Sequence, residues 1–228
     1  MITDPIARRA ARRLIGGYAF LALLGVAAVF LFSLGVTASV NVFQGPIEVS
    51  GWGEVHLAVR GLAVGTGVFM CTLTLPQHIA HGRTRREFAV HLPVGILVLA
   101  LVLGAASTAG FALELPIYRL MGWPQEFSNS GGLYTAADQY PLIALENWLV
   151  LPTWLAAGAL IGAGLTRSAI LGVALMPVGG ILIWAVHGAL RSSDLAVPMV
   201  LTCLGVFLLT MVLTWAVVRD LPLRSRTH

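Results

Sequence analysis

Four ionisable residues near the ends of different apolar stretches are the first candidates for chemistry: Arg60, Glu114, Glu146 and His187. A charge beside hydrocarbon is costly and persists where it faces an interior, a partner or the headgroups. Two arrangements fit their spacing. In one, Arg60 pairs with Glu114 or Glu146 and the four form an outer polar layer lining a translocation path. In the other, each side chain reaches the membrane interface on its own. A second group lies in Leu75-Pro-Gln-His-Ile-Ala-His-Gly-Arg-Thr-Arg-Arg-Glu-Phe88. His78 and His81, one helical turn apart, supply two of the four ligands that zinc takes. The histidines sit at the edges of apolar stretches, whereas the axial ligands of a membrane b-type haem face each other across helices. Neither metal nor haem is expected.

Other chemistries are excluded by what is missing. Every Lys+Arg position, 14 in all, is an arginine. Without lysine there is no Gly-Lys-Ser/Thr phosphate loop, and neither HExxH nor GxSxG occurs. Cys71 and Cys203 stand alone within apolar runs and read as small packing residues. The chain is expected to be no enzyme, with no catalytic residue and no cofactor of its own.

The elements that must position these residues follow from composition. Hydrophobic residues make up 57% of the 228 and charged residues 11%, and mean hydropathy is +0.86. Soluble domains carry about 25% charged residues. Six apolar stretches, at about 15–36, 57–80, 88–115, 141–165, 168–190 and 195–218, are each long enough to cross hydrocarbon as a helix. Segments such as Leu92–Ala106 are apolar on every face, which a barrel strand is not. The expected fold is therefore all-α: a polytopic membrane protein, residues 1–228 forming one transmembrane domain of six helices. The first stretch reads as a retained helix, since it is long and lacks a small-residue cleavage pattern.

Arginines set the expected orientation. Arg8, Arg9, Arg12 and Arg13 precede the first stretch, and Arg83, Arg85 and Arg86 separate the second from the third. Arg167 links the fourth and fifth, and Arg219, Arg224 and Arg226 follow the sixth; the alternate loops hold Arg119 and Arg191. The positive-inside rule then places both termini and the 81–87 loop in the cytoplasm of a multi-pass plasma-membrane protein. The net charge of +4 is accounted for by topology and lipid anchoring, and no nucleic-acid partner is expected.

Local patterns add detail. Residues 1–16 read either as a short amphipathic helix on the cytoplasmic face or as a plain basic flank. In the first case Thr3 or Asp4 caps it, Pro5 opens it, Ile6, Ala10 and Leu14 share one side, and Gly16-Gly17 is a joint. In the 75–88 stretch Pro76 disturbs the end of the second helix, Gly82 permits a turn, and Thr84-Arg-Arg-Glu87 fits a capping box that starts the third helix. The resulting charged elbow serves either docking or topology. Loops are expected at 37–56 and 116–140, with Trp52 at an interface. Gly158-x-x-x-Gly162 suits close helix packing, between subunits or within one.

At this elbow the sequence resembles ABC-2-type transporter permeases, which carry a Gly-x-Ser/Thr-Arg-Arg-x-Phe run directly after the second helix; here it is Gly82-Arg83-Thr84-Arg85-Arg86-Glu87-Phe88. Small actinobacterial permeases look closest, and the likeness extends loosely over the chain. It implies one subunit of an exporter of amphipathic or drug-like substrates. Two permease subunits, identical or homologous, would pair in the bilayer above a dimer of separate ATPase subunits that bind ATP and magnesium. ATPase coupling would then fall to His78, His81, Gly82, Arg83, Thr84, Arg85, Arg86 and Glu87, with Arg8, Arg9, Arg12 and Arg13. The chain departs from the family in its short 191–195 link, where such permeases have re-entrant helices, and in its long 116–140 loop. Two other functions suit six small helices: the substrate-capturing subunit of a vitamin importer, and a membrane scaffold without transport.

Overall fold

A computed structural model describes residues 5–44, 49–126, 132–192 and 196–219. The described chain is helical: α1 (Pro5–Gln44), α2 (Gly51–Phe69), a π-helical turn (Met70–Thr74), α3 (Leu75–Ala80), α4 (Arg85–Met121), α5 (Tyr140–Arg167), α6 (Ala169–Ser192) and α7 (Ala196–Arg219). Six spans are long and apolar enough to cross a membrane: 16–43, 51–80, 85–121, 140–167, 169–191 and 197–219. Side chains such as Phe20, Leu31, Phe32, Ile170, Trp184 and Val197 are more than 60% exposed, as hydrocarbon-facing residues are in a polytopic α-helical membrane protein.

Several boundaries differ from expectation. α1 runs unbroken through Gly16-Gly17. Each glycine weakens a helix by about 1 kcal/mol relative to alanine but leaves the hydrogen-bond ladder intact, so the expected joint is absent. Thr3 and Asp4 lie outside the described residues, and the side chains of Arg8, Arg9, Arg12 and Arg13 are likewise undescribed. α1 also continues to Gln44, shortening the expected 37–56 loop. Its polar residues are absorbed within the helix: Thr37 is buried and Ser39 Oγ donates to the Gly35 carbonyl (2.8 Å). α4 passes Pro116 and ends at Met121. There Gly122 takes a left-handed φ of +69°, and Trp123 N–H bonds back to Tyr118 O (2.9 Å), a Schellman ending.

The chain divides into two compact units. The first comprises 1–63 and 98–151: α1, the start of α2, the end of α4, the 122–139 connection and the start of α5. Its core centres on Trp52, which is 0% exposed. α2 begins at Gly51, so Trp52 lies in its first turn, packed against α4. Its Nε1 donates to Ser107 O (2.9 Å), and Phe30 and Phe111 meet it edge-on at 5.4 and 6.4 Å. Gly110 makes room for the indole, since a Cβ there would collide with the ring.

The second unit comprises 64–97 and 152–228. Here α2 and α5 pack with backbones in contact. A Cβ on Gly67 would strike the Leu155 carbonyl, one on Gly158 the Val64 carbonyl, and one on Gly162 the Val68 carbonyl. The Gly158-x-x-x-Gly162 face is thus used within the chain. α5 and α6 are joined by Ser168 alone, whose Oγ accepts from Leu171 N (3.1 Å) as the cap of α6. Cys71 and Cys203 are buried free thiols. On α7, Thr210 and Thr214 bond back to Val206 O and Thr210 O (2.6 and 2.8 Å), hiding their hydroxyls from the apolar surroundings.

Candidate functional site

In the first unit the two buried carboxylates take separate jobs. A helix start leaves its first amides without intrahelical partners, and at α2 each finds one. Gly51 N donates to the Tyr118 hydroxyl (2.8 Å), Trp52 N to Glu114 Oε1 (2.8 Å) and Gly53 N to Ser50 Oγ (2.9 Å). Glu54 N closes the first turn on Ser50 O (3.2 Å). Glu114 and Tyr118, four apart on α4, thus present one face to the positive end of α2. Glu114 Oε2 also accepts from Ser50 Oγ (2.5 Å) and Gln125 Nε2 (2.9 Å). The carboxylate is 0% exposed and fully engaged.

Arg60 pairs with Glu146. Nη2 lies 2.7 Å from Oε1, with the side chains 4% and 6% exposed. Glu146 Oε2 accepts from Leu133 N (2.9 Å), pinning the connection that precedes α5. Gly132 is needed there because a Cβ would collide with Oε2. Arg60 Nε has no hydrogen-bond partner among the described residues. Beside the pair, burial pushes the Tyr134 phenol up to about 12; Glu146 adds to the rise and Arg60 opposes it. His187 belongs to the second unit, half-buried on α6. An apolar groove of about 440 Å³ runs between α1 and α4 past Phe30, Trp52, Ala109 and Leu113; it presents no free polar group to a ligand.

In the second unit the elbow is built as a turn between two helices. Pro76 lacks an amide and its ring crowds the carbonyl four residues back; the π-helical turn Met70–Thr74 immediately precedes Leu75-Pro76, and such a bulge is a known way to relieve the strain. α3 ends at Ala80; in the turn that follows, Gly82 takes a φ of +73° and Arg83 N bonds to His78 O (3.1 Å). The capping box then forms in both directions: Glu87 N donates to Thr84 Oγ1 (3.2 Å) and Thr84 N to Glu87 Oε2 (3.2 Å). His81 Nδ1 donates to Gln77 O (2.7 Å), and His91 Nδ1 lies 2.5 Å from Glu87 O. His78 meets Phe88 edge-on at 5.8 Å. Arg83 is partly exposed and Arg86 exposed. Arg85 Nη1 donates to Arg219 O (3.1 Å).

Sequence reasoning missed the partners more than the principals. Ser50, Tyr118 and Gln125 were not singled out, although Ser50 stands directly before an apolar run, where N-caps occur. The tie from Arg85 to Arg219 spans 134 residues and leaves no local mark. Among the described residues no three His, Cys, Asp or Glu side chains gather as a metal-binding group. Comparison with protein-family models, curated proteins and solved structures finds no match for the chain.

Proposed function

We propose that the chain is the membrane-spanning subunit of an ATP-driven exporter. Two permease subunits would pair in the plasma membrane and dock on two separate ATPase subunits. The observation that carries this reading is the elbow. Gly82 and the Thr84–Glu87 box fix a rigid turn at which Arg83 and Arg86 reach solvent. The arginine distribution puts this turn in the cytoplasm, where ATP is hydrolysed. Its resemblance to the permease motif supplies the partner: an ATPase whose acidic surface complements the two guanidinium groups.

In this reading ATP and magnesium belong to the partner, since a chain without lysine has no phosphate loop to offer. Displacement of the ATPase surface moves the elbow, and the capping box passes that motion into α4. Within the first unit the Arg60–Glu146 pair joins α2 to α5, and the Glu114 cluster holds the start of α2 against α4. Their oxygens are committed to protein donors, so they brace the helices along which a substrate would pass.

The test is to purify the chain with a candidate ABC ATPase subunit from the same cells. The chain alone hydrolyses no ATP; the two co-elute, and hydrolysis by the ATPase rises when the chain is present. Hydrolysis by the verified-pure chain, or an ATPase that neither binds nor responds, contradicts the proposal.

A further inference from the structure

The three arginines of the elbow are not equivalent. Arg85 is the first residue of α4, and Arg219 lies on α7. Arg85 Nη1 donates to the Arg219 carbonyl at 3.1 Å, across 134 residues of sequence. The side chains of Arg83 and Arg86 make no hydrogen bond or ion pair among the described residues. The α4 end of the link is held rigidly, because Thr84 and Glu87 lock the turn on which Arg85 stands.

We infer that Arg85 is a positioning residue: it ties α7, at Arg219, to the elbow, so that the two move as one body. Its use in energy coupling rests on the permease reading; the tie itself does not. Through it a push on the elbow reaches α7 as well as α4, whereas Arg83 and Arg86 stay free to meet a partner. The guanidinium suits the task because its planar fork of donors loses little freedom when it holds a carbonyl.

The test uses nitroxide labels at Gln77 and Ala216, both exposed, in the full chain with Cys71 and Cys203 changed to alanine. Distance distributions are measured by pulsed electron resonance. With Arg85 present one narrow distance is expected. Arg85→Met loses it to a broad distribution, Arg85→Lys restores it because an ammonium also bonds a terminal carbonyl, and Arg86→Met leaves it unchanged. A distribution as narrow in Arg85→Met as in the parent overturns the tie, as does equal broadening in Arg86→Met. The same samples are then titrated with the ATPase subunit. A parent chain that fails to stimulate it removes the permease reading, while the label distances still decide the tie. Where stimulation occurs, Arg85→Met lowers its maximum and leaves the half-saturating concentration unchanged; a raised half-saturating concentration with a full maximum assigns Arg85 to docking and overturns its positioning role.

Discussion

Removing one partner of the Arg60–Glu146 pair strands the other charge in a site where both side chains are at most 6% exposed. Breaking a buried pair in this way costs about 3–5 kcal/mol, whereas replacing both partners by uncharged groups of similar volume is often near neutral. Arg60→Met leaves Glu146 with Leu133 N as its remaining donor. Glu146→Gln keeps an oxygen for that amide but leaves the guanidinium without a counter-charge. Each single variant is therefore expected to lose about 3 kcal/mol, and the double variant about 3 kcal/mol again in place of the additive total of about 6. The coupling energy is about 3 kcal/mol, read from thermal or denaturant unfolding in detergent. Each kcal/mol corresponds to about 2–4 °C for a chain of this length. Glu114 supplies the control: its oxygens serve Ser50, Trp52 and Gln125, so Arg60→Met and Glu114→Gln should add within about 0.5 kcal/mol. Additive losses for Arg60 and Glu146, or strong coupling of Arg60 to Glu114, would refute this assignment of partners.

Two further outcomes follow from the packing and from the phenol. Gly158→Ala drives a methyl group into the Val64 carbonyl and should destabilise the isolated subunit by about 1–3 kcal/mol; a variant that unfolds normally but fails to dimerise would place this face between subunits. Tyr134, with its phenol held up near 12 against an ordinary 10.0, contributes stability that is complete below pH 10 and is lost as pH rises through 12. At pH 11 the loss is on the order of 1 kcal/mol. Melting temperatures between pH 9 and 11 should fall less steeply for Tyr134→Phe, and identical slopes would contradict the burial of this hydroxyl.

The fold was legible because the bilayer constrains it so strongly: six runs of apolar residues had one helical solution each. The elbow was legible for a different reason. Pro76, Gly82 and Thr84-x-x-Glu87 act over three or four residues, and each takes the conformation its local chemistry requires. What could not be read was long-range. Nothing in the order of residues says that Glu114 serves the first turn of α2 while Glu146 takes Arg60, because 62 and 86 residues separate the partners. Helix ends slipped where a tertiary contact outweighed a local signal. α4 continues past Pro116, and Tyr118, two residues on, accepts from Gly51 N; Trp52 turns into the core because Gly110 leaves its indole a buried slot.

The permease proposal stands on the elbow's free arginines, and one titration tests it most directly. An ABC ATPase subunit that co-purifies with the chain is titrated with the parent and with Arg83→Ala and Arg86→Ala, each verified to insert and fold, and stimulated ATP hydrolysis is recorded. A polar contact at such an interface contributes about 1–3 kcal/mol, so each variant should need about tenfold more permease, or beyond, for half-maximal stimulation. Half-maximal concentrations equal to the parent's for both variants would show that the elbow is not where an ATPase docks.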